Sequence, residues 1–168
     1  MLLQFGIPFR TAAANIDETP TPEETPTALV ARLAAAKARA VTAAPDDVVL
    51  AADTVVALAG EIFGKPADLD AARGMIRRLA GRTHQVHTGV CLLTAGDADV
   101  WVCTTDVTFK ALSDDQIEAY LAVASPLDKA GAYAIQEHQA LLVDHFDGSY
   151  TNVVGLPIEE VLAKMSPE

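Results

Sequence analysis

One acidic residue, Asp53, interrupts an apolar stretch of the sequence, and its position is the strongest indication of chemistry in the chain. The stretch begins at Val48 and consists mostly of small and β-branched residues, which predicts a buried strand. An ionised carboxylate inside such a strand is costly unless another group compensates its charge. Asp53 is therefore either a hydrogen-bonded structural residue or an acid that faces a cleft at the end of the strand and takes part in a reaction.

Two lysines are candidates to accompany this acid. Lys65 lies between a glycine and a proline, in a rigid turn that can aim a side chain, although such a sequence often indicates only a turn. Lys37 lies at the edge of the apolar stripe of a helix predicted from Leu29 to Ala43. It is either a lysine whose stem packs while its ammonium reaches water, or a residue that faces a site.

Thr54, Gln136 and one loop complete the set of polar candidates. Thr54 follows Asp53 directly, and Gln136 follows an apolar segment, where the alternative to ligand recognition is a buried amide with satisfied hydrogen bonds. The glycine-bounded loop at 148–157 leads into the N-terminus of a predicted helix, a position that favours anions. The sequence contains neither of the two common glycine-rich phosphate motifs, and its histidines lack the helical spacing of metal ligands.

The composition limits the classes of function. The chain has 168 residues, of which 51% are hydrophobic, and its length predicts a single domain over residues 1–168 with a sizeable core. A formal net charge of −11 disfavours non-specific binding to nucleic acid or to an anionic membrane, although a few lysines in one cleft can still bind a small anion. Because the sequence contains no signal peptide and no apolar segment of ~18 residues, we expect a cytoplasmic protein without a membrane span. Cys91 and Cys103 lie in apolar segments and are expected to be buried free thiols.

The order of the elements predicts an α/β protein of mixed α+β type, with hairpins, rather than a purely parallel sheet. Besides the helix at 29–43, helices are predicted from Asp68 or Asp70 to 79, at 113–123 and at 157–165. Strands are predicted from 48, at 62–63, at 84–94 and at 100–109. Two further segments, 130–136 and 139–146, are expected to form two strands or a strand and a loop.

Seven short motifs occur in an order that resembles the Maf family of nucleotide pyrophosphatases from end to end. The residues at Tyr133, Gln136 and Ser149-Tyr150 resemble the branch of the family that acts on dTTP and UTP. The motifs are I-D-E-T at 16–19, A-x-x-K-A at 34–38, A-A-D-T-V-V at 51–56, G-K-P at 64–66, L-A-G-R-T-H-x-V-x-T-G-V at 79–90, D-K-A-G-A-Y-x-I-Q at 128–136 and G-S-Y-T-N-V-V-G-L-P at 148–157.

The resemblance implies hydrolysis of a nucleoside triphosphate between its α and β phosphates, which yields the monophosphate and pyrophosphate. It also implies an elongated mixed sheet flanked by helices, with two lobes around a deep cleft, and a homodimer is expected from the family. By the matching positions, Asp53 would accept the proton of the attacking water, and Thr54 and Gln136 would select the pyrimidine base. The residues implied on the phosphate side are Glu18, Lys37 and Lys65.

A divalent cation, Mg²⁺ or Mn²⁺, is part of the same expectation. The four charges of a triphosphate call for a metal ion and lysines, since catalysis of this reaction is mostly positioning and charge stabilisation. Asp53 and Glu18 are the expected protein contacts of the metal. The sequence does not separate the role of base from the role of metal ligand.

The first residues depart from the family pattern. Members of the family begin with a strand and a loop of Ser-x-Ser-Pro-Arg-Arg type, whereas Met1 to Phe9 resembles the segment directly after that loop. Either the start codon is assigned too late or the segment is lost, and in the second case we expect impaired turnover and an exposed strand edge. Two other functions stay open: a related pyrophosphatase for inosine and xanthosine triphosphates, and a nucleotide-binding regulator of septum formation with impaired turnover.

Overall fold

The structure is a computed structural model that describes residues 1–44, 46–95 and 97–165. Its strands are β1 (Val48–Leu58), β2 (Glu61–Phe63), β3 (Thr83–Thr94), β4 (Asp97–Phe109) and β5 (Val143–Asp147). They form one sheet in the order β2-β1-β3-β4-β5, and every pairing among the described residues is antiparallel. The predicted α+β architecture is therefore confirmed. The sheet is antiparallel, whereas the family resemblance implied a mixed one.

A short turn explains why β1 and β2 run in opposite directions. Ala59 and Gly60, which join β1 to β2, both have positive φ values, of 52° and 84°. A two-residue turn with this backbone matches the twist of the strands that it joins. β1 and β2 therefore form one of the hairpins that the order of the elements predicted.

The helices begin where the sequence provides side chains that cap them. Thr25, Asp68 and Ser113 each accept a hydrogen bond from a backbone amide of the first helical turn. In the described ranges, no helix combines the length and the apolar character that crossing a membrane requires. The α-helices are α1 (Pro26–Ala40), α2 (Leu69–Leu79), α3 (Asp114–Leu121), α4 (Gln139–Leu142), α5 (Tyr150–Val154) and α6 (Ile158–Met165).

The strand considered for residues 130–136 is absent, and this is the main error of the sequence-based fold. Gly131 and Ala132 have φ values of 66° and 65°, which are incompatible with an extended strand. The Gly131 amide donates to the Gly64 carbonyl, and the Tyr120 hydroxyl donates to the Ala132 carbonyl. The backbone groups of this segment therefore bond to a turn and to a side chain. The second segment forms α4 followed by β5, and the loop expected at 148–157 contains α5.

Buried residues form separate groups on the sheet. The largest group is mostly aliphatic but includes Phe109 and Tyr133. Their rings form an aromatic group with that of His84, in which all three contact one another edge to face, with centroids 4.8 to 5.4 Å apart. Other groups hold α1 and α6 against the sheet, through residues such as Leu33 and Val161. Cys91 and Cys103 are buried free thiols, as predicted.

One edge of β1 is open along most of its length. β2 pairs with β1 only at Val56, Ala57 and Leu58. In the described part of the chain, residues 48–55 of β1 consequently pair with β3 alone. This unpaired edge borders the largest group of polar candidate residues.

Candidate active site

A cavity of about 570 Å³ brings together all six residues that the sequence indicated as site residues. β1 supplies Asp53 and Thr54. Neighbouring residues of a strand point to opposite faces of the sheet, yet both line this one cavity. The reason is the open edge of β1, around which the cavity extends. The other four residues are Glu18, Lys37, Lys65 and Gln136.

Lys37 holds two carboxylates together at one end of the cavity. Its Nζ lies 2.6 Å from Asp53 Oδ1 and 2.8 Å from Glu18 Oε1. The Asp53 side chain is 11% exposed and that of Lys37 is 21% exposed, so the pair is largely withdrawn from water. The alternative in which the Lys37 ammonium simply reaches solvent is therefore wrong.

Burial and ion pairing act against each other on this pair. Burial raises the pKa of the Asp53 carboxyl above its ordinary value, while the Lys37 ammonium opposes that rise. Burial lowers the pKa of Lys37, but its hydrogen bonds to Asp53 and Glu18 outweigh burial and raise that pKa overall. Lys37 therefore stays charged, and Asp53 is more basic than a solvated aspartate.

A glycine on the neighbouring strand permits this ion pair. Gly89 lies opposite Asp53 in the β1–β3 pairing. A Cβ atom at Gly89 would lie 2.2 Å from the carbonyl oxygen of Val30, so only glycine lets α1 approach the sheet so closely. Lys37 follows Val30 by seven residues and is thus on the same face of α1. The close approach of α1 brings its ammonium to Asp53.

Lys65 contributes a cation that the protein does not neutralise by contact. Its side chain lines the cavity from the turn after β2, and it forms no ion pair with the described residues. Its charge reaches Asp53, where it lowers the carboxyl pKa as a minor contribution beside burial and Lys37. Lys65 is available to an anionic ligand.

Gln136 lines the same cavity from the end of the irregular segment 128–136. Tyr133 anchors this segment because its hydroxyl lies 2.8 Å from His84 Nε2 inside the aromatic group. The Gln136 side chain is exposed and forms no hydrogen bond within the described ranges. The alternative of a buried, satisfied amide is therefore wrong.

The sequence did not indicate several residues that build or line the site. Asp128 and Lys129 line the cavity, and the Lys129 ammonium donates to Asp128 at 2.8 Å. Thr88 and Asn152 are fully buried beneath Thr54 and connect it to α5. These four residues lie within motifs already noted for resemblance. Their spacing gave no role. Thr88, for example, reaches Thr54 only through the pairing of β1 with β3.

Two carboxylates fit a role in holding a divalent cation. Asp53 and Glu18 converge on the same ammonium nitrogen, and both belong to the cavity. Hard divalent cations such as Mg²⁺ are commonly held by one or two carboxylates together with the phosphates of a substrate. Within the described residues, no group of three or more histidine, cysteine or acidic side chains could hold a metal without such help.

Comparison with known proteins places the chain in a family. The family described as Maf-like protein matches residues 1–167. A dTTP/UTP pyrophosphatase of Moorella thermoacetica is 49% identical over 169 residues, which cover 97% of this chain and 87% of that protein. Proteins of the same name from Myxococcus xanthus and Sphingopyxis alaskensis are 49% and 48% identical, over 97% and 99% of this chain and 83% and 88% of the relatives. The chain belongs to the Maf-like protein family.

Proposed function

We propose that the chain hydrolyses nucleoside triphosphates of thymine and uracil, dTTP and UTP, to the monophosphate and pyrophosphate. The observation that carries the proposal is the arrangement of Asp53, Lys37 and Lys65 in one cavity. The Lys37 ammonium is paired with the Asp53 carboxylate, and the Lys65 ammonium forms no ion pair with any described residue. The names of the relatives, dTTP/UTP pyrophosphatase, support the same reaction.

In the proposed reaction, Asp53 is the general base. Water attacks a phosphorus of the anhydride between the α and β phosphates, and its proton passes to the Asp53 carboxylate. The bond between that phosphorus and the bridging oxygen breaks, so the monophosphate and pyrophosphate separate. The raised pKa of Asp53 favours this role, because a carboxylate with a raised pKa accepts a proton more readily.

The charged residues have separate tasks in this scheme. Lys37 orients the Asp53 carboxylate, and Lys65 binds the phosphates, where developing negative charge needs compensation. Asp53 and Glu18 would hold a divalent cation, Mg²⁺ or Mn²⁺, which supplies charge neutralisation at the triphosphate when bound. Thr54 and Gln136 would contact the base.

A substrate panel tests the proposal. The purified chain is incubated with Mg²⁺ or Mn²⁺ and each of dTTP, UTP, CTP, ITP and XTP, and both pyrophosphate and inorganic phosphate are measured. We expect monophosphate and pyrophosphate from dTTP and UTP. Release of inorganic phosphate alone, or a preference for ITP or XTP, would contradict the proposal.

The variant Asp53→Asn tests whether the Asp53 carboxylate takes part in the reaction. We expect the rate of pyrophosphate release to fall by about 10²- to 10⁴-fold, the usual contribution of a general base. The matched control is Asp99→Asn, an aspartate on β4 that pairs with Lys164 at the surface and does not line the cavity. Equal rates in Asp53→Asn and the unmodified chain would remove Asp53 from the mechanism.

A further inference from the structure

We propose that Thr54 presents only a hydrogen-bond acceptor to the substrate base, and that Thr88 and the Asn152 carbonyl impose this polarity. The inference rests on the proposed function, since it concerns how the same cavity selects among nucleotides. Thr54 is partly exposed in the cavity, whereas Thr88 and Asn152 are completely buried. Two buried residues that the substrate does not contact thus determine whether Thr54 donates or accepts a hydrogen bond.

The positions of the protons follow from two contacts. Thr88 Oγ1 lies 3.0 Å from the Asn152 carbonyl oxygen, which can only accept, so Thr88 donates its single proton there. Thr54 Oγ1 lies 2.8 Å from Thr88 Oγ1. Because the Thr88 proton is already used, Thr54 must donate to Thr88. Only lone pairs of Thr54 then remain for a ligand.

The opposite arrangement loses a hydrogen bond. If Thr88 donated to Thr54, the oxygens of Thr88 and Asn152 would face each other at 3.0 Å without a proton between them. Thr88 is completely buried, so water does not compensate for that loss. The Asn152 carbonyl also accepts from the Gly155 amide at 2.9 Å, and it stays satisfied if the Thr88 hydroxyl is removed.

A hydroxyl that can only accept a hydrogen bond discriminates between bases that an amide, which can either donate or accept, would bind equally. Uracil and thymine carry an N–H donor at ring position N3, whereas the corresponding nitrogen of cytosine carries a lone pair. The amide of Gln136 is free of protein partners in the described ranges, so it can rotate to present either its donor or its acceptor. We therefore assign the rejection of cytosine to Thr54, held as an acceptor by Thr88.

The test compares UTP with CTP in a variant that frees the Thr54 proton. Thr88→Val keeps the shape of the side chain but removes its hydroxyl, so Thr54 can turn its proton toward the ligand. We expect the ratio of kcat/KM for UTP to kcat/KM for CTP to fall by about tenfold or more. This is the usual effect of one buried hydrogen-bonding group left without a partner. Equilibrium binding of UMP and CMP should lose discrimination in parallel, without any need for turnover.

Two control variants separate proton polarity from loosened packing. Thr88→Ser keeps the hydroxyl and should keep the ratio. Thr105→Val removes another buried hydroxyl that bonds to α5, at the Ser149 carbonyl and the Asn152 side chain, but does not contact Thr54. It should also keep the ratio. If Thr88→Val does not fold, Thr88→Ala, which only removes atoms, provides the same comparison.

The outcomes distinguish this inference from the proposed function. If the unmodified chain does not hydrolyse UTP in preference to CTP, the proposed function itself fails. If it prefers UTP and folded Thr88→Val keeps that preference, only the role of Thr88 is overturned. An equal fall of the ratio in Thr105→Val would overturn it as well, since loosening of α5 would then explain the effect.

Discussion

Lys37 Nζ lies 2.6 Å from Asp53 Oδ1, and this contact joins α1 to β1 across 16 positions of sequence. Two opposing effects act on the Asp53 carboxyl: its burial raises its pKa, and the Lys37 ammonium lowers that pKa. The basicity of the carboxylate therefore depends on where α1 lies on the sheet. Substitutions at Lys37 and at the residues that hold α1 in place test this dependence.

Removal of the Lys37 charge should change the pH dependence of the reaction. Lys37→Met removes the largest effect that opposes the burial of Asp53, so the carboxyl pKa rises further and protonation removes the base at a higher pH. We expect the acid limb of the profile of kcat/KM against pH to move to higher pH relative to the unmodified chain.

The control for this shift is Arg39→Met, which removes a positive charge from an exposed position of the same helix. Its acid limb should coincide with that of the unmodified chain. Ionisation of the triphosphate affects all three proteins equally, so it does not produce a difference between their profiles. An unchanged limb in Lys37→Met would mean that Lys37 does not set the ionisation of Asp53.

Lys65 should contribute to binding and not to stability. Lys65→Ala removes a cation with no ion pair among the described residues, so we expect KM for UTP to rise about tenfold or more, as for the loss of a charged hydrogen bond. The free energy of unfolding should change by less than about 0.5 kcal/mol. Lys164→Ala, which removes a lysine paired with Asp99 at the surface, should leave KM unchanged. Equal KM values for the Lys65 variant and the unmodified chain would place the phosphates elsewhere.

Gly89 should be intolerant of even one added carbon. In Gly89→Ala the new methyl group would overlap the backbone of α1 at Val30, so we expect a loss of about 3 kcal/mol or more in the free energy of unfolding, measured by denaturant titration. Gly74→Ala is the matched control, because nothing lies within 4 Å of a Cβ at that position of α2. That variant should gain about 0.5 to 1 kcal/mol from better helix propensity. A stable Gly89→Ala protein with full activity would contradict the close approach of α1.

His84 should make the protein less stable in mild acid. Burial lowers the pKa of His84 to about 4, although the charge of Asp106 partly opposes that shift. Between pH 6.5 and 4 the unfolded chain binds a proton at this residue and the folded chain does not, so stability is lost as the pH falls through that window.

The test is to compare the free energies of unfolding at pH 7 and pH 5. For His84→Gln, which keeps a polar atom near Tyr133, the difference should be smaller than in the unmodified chain by about 2 kcal/mol. His145→Gln, a change at an exposed histidine, should behave as the unmodified chain does. An identical difference in all three proteins would show that His84 titrates normally.

Much of the fold can be predicted from the sequence, and so can six of the residues that line the cavity. Asp53 is recognisable because a carboxylate is rare inside an apolar strand, and the starts of α2 and α3 are recognisable because their capping residues act locally. The start of α1 was predicted at Leu29, three residues after its first residue, Pro26. The ordered motifs then indicated the family. The strand considered at 130–136 failed because the bonds of Gly131 and Ala132 go to Gly64 and Tyr120, which are distant in sequence.

Only the tertiary structure decided which side chains form hydrogen bonds and ion pairs with one another. The sequence alone left open whether Lys37 reaches water or Asp53, and whether Gln136 is buried or exposed. It gave no sign that Thr88 determines what Thr54 can offer to a ligand. Such properties depend on distances of a few ångströms between elements that pack against each other, and the strength of a hydrogen bond or ion pair falls steeply beyond them. Periodicity and motif spacing are local along the chain, whereas the register of β1 on β3 and the approach of α1 over Gly89 are not.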